Sequence, residues 1–453
     1  MANVAFDVAV IGAGVVGIAT ARRLALSGAR VLVLEKGADV LSGASKANSA
    51  ILHTGFDAPE GSVELACMQD GYAAFQALKG QMNLTQLDTG AMVTAWTEAQ
   101  EAALPAILAA AHRNGVSDCR MLTAQQVATR EPALAPARAA VLVPREHVID
   151  PWTPFHGYAA QVLAKGGTIL RQTEVTSGHH DGQNWQITTS RGSFAARAVV
   201  NAAGLYGDQI DIAFLGQTDF EIRPRKGQFV VFDKAAARLL STIILPVPEP
   251  RTKGVVLTPT IFGNLLIGPT AEDTPDRDRP TTSTDALDML LTKAADILPA
   301  LREMPVTATY AGLRPATQFK EYRIHHDASR NWVTVGGIRS TGLTASLGLA
   351  NHVAGLLGAS ECGPAPALPA LPTLAEHLPR DWQNPGYGEI VCHCEMVTRR
   401  EIEAALDSAL PPGDLGGLRR RTRCAMGRCQ GFNCLGRIEE LTRSKLSVPI
   451  AAT

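Results

Sequence analysis

The sequence predicts an α/β protein that carries a small helical module at its far end. Two observations lead there. Close to the N-terminus an apolar strand runs straight into a glycine turn, a helix and a second apolar strand. Close to the other end, five of the eight cysteines fall between Cys392 and Cys434. Phe6-Asp7-Val8-Ala9-Val10-Ile11 reads as a buried strand, Ile18 to Leu26 as a helix, and Val31-Leu32-Val33-Leu34 as a second strand. From Gly388 onward the chain reads as a compact helical unit. Thr398 caps a helix over Arg399 to Ala409, with Glu401 as its N3 partner, and another helix is expected to start near Gly436.

The turn between the first strand and helix is Gly12-Ala13-Gly14-Val15-Val16-Gly17, and the second strand ends at Glu35. Strand, glycine turn, helix, strand and acidic residue, in that order, make the dinucleotide-binding unit. Gly12 permits the tight turn, Gly14 lets the backbone approach a pyrophosphate, and Gly17 lets helix and strand pack closely. The helix start offers unpaired N–H groups and a positive dipole end to phosphates. Glu35 is placed to accept hydrogen bonds from a ribose diol. A glycine pattern alone is often only a turn, but here the whole context surrounds it.

Composition bounds the rest. A chain of 453 residues implies two or three domains, and 46% hydrophobic residues supply ample core. A formal net charge of −1 gives no reason to expect nucleic acid as a partner. No basic stretch followed by an apolar run opens the chain, and no apolar run reaches the roughly 20 residues needed to span a bilayer. A cytoplasmic location is therefore expected, peripheral to a membrane only through a partner. There thiols stay reduced, and clustered cysteines more often bind metal or do redox chemistry than pair as disulfides.

Later segments favour FAD over NAD. Ala198-Val199-Val200-Asn201-Ala202-Ala203-Gly204 is an apolar strand ending in small residues, which lets backbone pass close to the same cofactor. Thr173-Glu174-Val175 is suited to pairing with an adenine through its backbone. Val335 to Thr344 forms another glycine-rich loop entering an alanine-rich helical run to Leu357. Its positive end suits the pyrimidine edge of a reduced flavin, although a plain strand-to-helix turn would look the same.

Together these segments resemble the glycerol-3-phosphate dehydrogenase and L-2-hydroxyglutarate dehydrogenase branch of the D-amino-acid-oxidase-like flavoproteins. The matching stretches are Gly12 to Gly17 with Glu35, Ser45 to Gly55, Ile149-Asp150-Pro151, Val200 to Gly204, Ala311 to Pro315 and Gly336 to Thr344. The resemblance implies non-covalent FAD, held by a Rossmann-like domain assembled from separated segments, with an inserted mixed-sheet substrate domain. The flavoprotein part is expected over 1–362, its FAD portion about 1–80, 145–215 and 310–360 and its substrate portion about 81–144 and 216–309. The residues implied to touch the cofactor are Gly12, Gly14, Gly17, Glu35, Lys36, Ser45, Asn48, Ser49, Val175, Ala203, Gly204, Gly312, Gly337, Ser340, Gly342, Leu343 and Thr344.

Oxidising an alcohol carbon requires a base for the hydroxyl proton, a hydride acceptor, and cations to hold an anionic substrate. His53 lies in the segment that passes beside the flavin in similar enzymes, and imidazole suits proton transfer near neutrality. Packing against the ring is an equal alternative for it. Arg314 and Arg339 fall where related enzymes carry cations facing the substrate, and a guanidinium grips carboxylate or phosphate with two donors. Arg225, Lys226, Lys320 and Tyr310 are weaker candidates, each readily explained as ordinary structure. The Asn48-Ser49 pair resembles the hydroxyglutarate enzymes, whereas the cysteine tail resembles the anaerobic glycerol-3-phosphate enzymes, so these two cues leave the substrate open.

Six prolines between Cys362 and Gly386 read as a linker or surface strap over 363–385. Beyond it, at 386–453, Cys392-x-Cys394, 34 intervening residues and Cys429-x4-Cys434 make two close pairs. This resembles the [2Fe–2S] module of bacterioferritin-associated ferredoxin. Four thiolates are the set that such a cluster requires, and they equally satisfy zinc. Cys424 is a fifth thiol, able to replace Cys434 in an alternative quartet. Arg419 to Arg423 read either as a solvated face or as charges offsetting the cluster.

The expected protein is thus a dehydrogenase acting on a small anionic 2-hydroxy acid or polyol phosphate at a CH–OH carbon. Its electrons would pass from FAD through the cluster to an acceptor protein, a partner subunit or a membrane-associated quinone reductase. Oxidation of a C–N bond in an opine or secondary amino acid, or a catalytically silent electron-transfer subunit, are the competing readings. Oligomerisation stays open.

Overall fold

The computed structural model describes residues 6–248, 254–368 and 370–452. Its first layer grows from strand β1, Phe6–Ile11, helix α1, Val15–Leu26, and strand β2, Val31–Leu34. β1 lies parallel to β2 on one side and to Gly192–Asn201 on the other, and β2 pairs in parallel with Thr168–Leu170. All four residues of β2 are buried, as expected where helices cover both faces of a parallel sheet. The far end of Gly192–Asn201 also pairs in parallel with Trp332–Gly336. Residues far apart in sequence therefore meet along one sheet edge, in a doubly wound α/β arrangement.

Glycines make the close approaches at its centre. Gly12 has φ +101°, and a Cβ there would sit 2.6 Å from the carbonyl oxygen of Ala202. A Cβ on Gly17 would lie 1.9 Å from the carbonyl oxygen of Gly12. The first glycine is set by conformation as well as space, the second by space alone.

The second layer is a mixed sheet. Its strands run in the order Glu272–Asp273, Arg225–Phe232, Leu265–Gly268, Val256–Pro259, Ile243–Pro246, Ala91–Ala95, Ala139–Val143 and Arg120–Thr123. Val306–Arg314 pairs antiparallel along Arg225–Phe232, from Arg225 opposite Arg314 to Phe232 opposite Val306. This strand lies wholly within the second sheet, so the chain leaves that sheet after Arg314, a few residues later than the 310 read from sequence.

The segment after Leu356 has little regular structure but is held down. Gly363 N–H donates to the carbonyl of Leu26, Gln161 to that of Pro366 and Asn83 to that of Leu371. Leu374 and Ala375 are buried in the main core. The described prolines thus belong to a strap pinned across the molecule.

The C-terminal module has the short hairpin Ile390–Cys392 with Val397–Thr398 and the helices Arg399–Leu406, Leu415–Thr422 and Leu435–Thr442. The capping box of Thr398 and Glu401 forms as the sequence suggests. The middle helix is the one that sequence reading left out. It carries most of the arginine run, and the solvated-face reading of that run does not hold: Arg420, Arg421 and Arg423 are buried. Arg421 ion-pairs with Asp39, Arg423 pairs with Glu395 and lies 4.0 Å over the ring of Phe262, and Arg420 donates to the carbonyl of Val40. Arg428 forms a two-pronged pair with Asp233, at 3.0 and 2.7 Å. The module is therefore docked on both layers at once.

Candidate active site and electron exit

A cavity of about 580 Å³ starts at the Gly12–Gly14 turn and runs between the layers. Its wall includes Glu35, Lys36, Ser45, Asn48, Ser49, Val175, Ala203, Gly204, Gly312, Gly337, Ser340, Gly342 and Leu343, together with His53, Arg314 and Arg339. Two of the expected cofactor residues do not line it. Gly17 lies behind the turn, packed on Gly12. Thr344 stands behind His53, where its Oγ1 accepts from the His53 N–H at 2.9 Å.

At one end α1 begins without a side-chain cap from Gly14, but Val15 N–H donates to Ser45 Oγ at 3.0 Å. A Cβ on Gly14 would come within 3.0 Å of that same hydroxyl. The bare helix start and its positive dipole end suit a pyrophosphate. Glu35 is half-buried. Its Oε2 accepts from Ala13 N–H at 2.8 Å and its Oε1 from Gly37 N–H at 2.7 Å. Burial raises its pKa against the pull of those amides. Each oxygen retains a lone pair for a diol hydroxyl. Lys36 pairs with Asp278 at 3.4 Å and lies over the Tyr206 ring. Arg277 clasps Asp208 at 2.6 and 2.9 Å, so the loop after Asp273 is tied over this end of the cavity.

At the other end, Asn48 folds the loop that leads to His53. Its Oδ1 accepts from Ala50 N–H, at a position of φ +60°, and its Nδ2 donates to the Ser45 carbonyl. His53 Nδ1 meets Glu146 Oε2 at 2.8 Å, and the Glu146 side chain is 0% exposed. Glu146 Oε1 accepts from both the N–H and the hydroxyl of Thr54, at 2.6 and 2.8 Å. With Thr54 donating twice to this carboxylate, we assign the His53 proton to Nδ1, which makes Nε2 the acceptor. Sequence reading missed Glu146. In Pro144-Arg145-Glu146-His147 it looks like one charge in a surface turn, and no spacing marks it.

Arg314 is half-buried, and among the described residues it has no carboxylate partner. Its Nη2 donates to the carbonyls of Thr270 at 2.6 Å and Lys226 at 3.3 Å. Burial, reinforced by the charges of Arg225 and Arg339, brings its pKa down to about 10. A half-buried cation held only by carbonyls is arranged to receive an anion. Arg339 lines the cavity with its Nη2 on the Lys320 carbonyl. The weaker candidates are engaged elsewhere. Arg225 pairs with Asp273, Lys226 with Glu272, and Tyr310 donates to the Asn48 carbonyl while stacking on Phe229.

In the C-terminal module Cys394 lies within hydrogen-bond reach of Cys429, and Cys392 within reach of Cys434. Backbone N–H groups of Asn433, Gly431 and Phe432 point at Cys429 and lower its pKa. Amides directed at a sulfur suit a thiolate bound to iron. Among the described residues no group of three or more His, Cys, Asp or Glu side chains is gathered tightly enough for one metal ion. Four thiols arranged as two pairs suit a centre of two irons. Cys424 is fully buried beside Cys392 and Cys434, and burial pushes its thiol up to about 12.

The fold and these two sites define a flavin-dependent dehydrogenase whose electrons leave through an iron–sulfur centre. The chain belongs to the FAD dependent oxidoreductase family, which it matches over residues 7–356, and residues 390–443 match the BFD-like [2Fe-2S] binding domain. It is 30% identical over 457 residues to a glycerol 3-phosphate dehydrogenase of Caloramator mitchellensis, covering 98% of this chain and 95% of that protein. An L-2-hydroxyglutarate dehydrogenase of Indibacter alkaliphilus is 29% identical across 59% of this chain and 68% of its own. Among solved structures, the FAD-bound L-alpha-glycerophosphate oxidase of Mycoplasma pneumoniae superposes with a TM-score of 0.75 at 25% identity. It covers 81% of this chain and 99% of its own. FAD and a [2Fe–2S] cluster are accordingly the cofactors of this chain.

Proposed function

We propose that this dehydrogenase oxidises a polyol phosphate of the glycerol 3-phosphate type at its secondary alcohol. The carrying observation is the pairing of a half-buried, carbonyl-held Arg314 with the His53–Glu146 dyad in one cavity. Arg314 and Arg339 bind the anionic group and thereby fix the reacting carbon. His53 Nε2 takes the hydroxyl proton, and Glu146 stabilises the imidazolium that results. Bound FAD would supply the hydride acceptor, and a cluster held by the C-terminal thiols would take the electrons onward singly. Cys392, Cys394, Cys429 and Cys434 are the thiolates assigned to it. The similarity to the Caloramator enzyme over 98% of the chain supports this substrate class.

A 2-hydroxy dicarboxylate is the second reading, favoured by the Asn48-Ser49 pair and by the likeness to L-2-hydroxyglutarate dehydrogenase. For the acceptor we assign a partner subunit or carrier protein, of which a membrane-associated quinone reductase is one form. A relative in Escherichia coli, 25% identical over 94% of this chain, is named as one subunit of an anaerobic glycerol-3-phosphate dehydrogenase. No helix among the described residues is long and apolar enough to cross a membrane. The test is anaerobic bleaching of the bound flavin by glycerol 3-phosphate, L-2-hydroxyglutarate and a secondary amino acid. Fastest bleaching by the first supports the proposal. Bleaching by the amine alone, undiminished in His53→Ala, would replace it with C–N oxidation.

A further inference from the structure

The loop that follows Glu35 has two duties. Residues 42–50 line the cofactor cavity, whereas Ala38, Asp39 and Val40 face the C-terminal module. Asp39 is completely buried. Its carboxylate accepts from both terminal nitrogens of Arg421, one at 3.0 Å, and from Arg171 at 3.3 Å, with Arg420 at 3.8 Å. Arg171 also donates to the carbonyl of Pro411, so it too bridges the modules.

A second, independent feature marks the same contact. A Cβ on Gly417 would lie 1.7 Å from Asp39 Oδ2, and one on Gly413 would lie 1.8 Å from the carbonyl oxygen of Ala38. Neither glycine has a positive φ. Their lack of a side chain answers to proximity, and it lets the helix Leu415–Thr422 seat directly on this loop. Buried charge and bare backbone converge on one acidic side chain, contributed by the loop that also shapes the flavin site.

We propose that Asp39 is the docking residue that holds the iron–sulfur module in fixed register with the flavin, acting through Arg421. It is a positioning residue, since it touches neither substrate nor the thiols. The inference rests on the electron route from flavin to cluster. Asp39→Asn takes the shared counter-charge from the buried Arg421 and Arg420, and Arg421→Met removes the two-pronged part of the grip, each a loss large enough to shift the docked population by about tenfold or more.

The experiment uses full-length holoenzyme in four forms: wild type, Asp39→Asn, Arg421→Met and the double variant. Substrate is mixed anaerobically, and the visible bands of flavin and cluster are followed separately. Limited proteolysis of the strap at 363–385 is measured on the same samples. In each single variant flavin bleaching should keep its wild-type rate, cluster reduction should slow about tenfold or more, and strap cleavage should accelerate. The double variant should be no worse than Asp39→Asn alone, because Arg421 is then no longer among the cations that have lost this carboxylate. Arg421→Met lies outside the cofactor loop, so it tests docking even if Asp39→Asn loses FAD. Wild-type rates of cluster reduction with unchanged cleavage in Arg421→Met would overturn the proposal. A wild-type cluster that substrate never reduces would overturn the route itself, whatever the variants do.

Discussion

Glu146 holds His53 by its Nδ1 at 2.8 Å while Thr54 occupies the other oxygen of the same carboxylate. The pair makes tautomer, and not only position, a property of the site. In Glu146→Gln the amide oxygen will stay with the two Thr54 donors, so the amide nitrogen will face Nδ1 and donate to it. The proton then moves to Nε2 and the base is lost. Flavin bleaching by substrate should slow by about 10²–10⁴-fold with little change in substrate affinity, as when a histidine is forced into the wrong tautomer. Stopped-flow traces across a substrate series separate the two effects. An unchanged limiting rate would remove His53 from proton transfer.

Arg314 should act on affinity. In Arg314→Met, kcat/KM for the anionic substrate is expected to fall by about 10–100-fold, the worth of charge-assisted hydrogen bonds to a buried anion. Arg314→Lys should recover only part, since an ammonium cannot offer the paired fork. The Arg314 pKa of the substrate-free protein is about 10, so the guanidinium begins to lose its proton above that pH. KM should therefore rise as pH climbs through about 10. A KM flat across that range would place the anion elsewhere.

The quartet of thiols makes an elementary prediction. Cys429→Ser should lose most of the iron and the broad visible absorption while leaving flavin reduction by substrate intact. Cys424→Ser should retain both iron and spectrum. The reverse pattern, with Cys434→Ser harmless and Cys424→Ser damaging, would establish the other quartet. Iron analysis and absorption spectra suffice.

Gly17→Ala tests the close packing of α1 on the turn. A methyl group would meet the Gly12 carbonyl at 1.9 Å, so helix and turn must separate. The expected result is a loss of about 1–3 kcal/mol of stability, typical of overpacking, together with depleted FAD. Thermal melting and cofactor content measure both, and a variant with normal values for each would contradict the packing role.

What the sequence disclosed was what it encodes locally. Gly12, Gly14, Gly17 and Glu35 lie within one strand-turn-helix-strand unit, and the paired cysteines announce themselves by spacing. Glu146 was invisible because its meaning depends on His53, 93 positions away, and on burial that a charged turn does not suggest. The solvated-face reading of the arginines of 419–423 failed for the same reason. The partner of Arg421 is 382 positions upstream, and a run of cations without visible counter-charges reads as surface. The helix around them was missed as well, because Gly416 and Gly417 weaken its propensity while serving a contact that only the folded chain reveals.

The C-terminal module grips Asp39 beside the first sheet and Asp233 beside the second. A body fastened at two such points works as a cross-brace. Hinge opening between the two layers, the usual way a two-domain enzyme admits its ligand, would have to break one of these grips. The part that carries electrons out thus also ties together the two walls of the catalytic cleft.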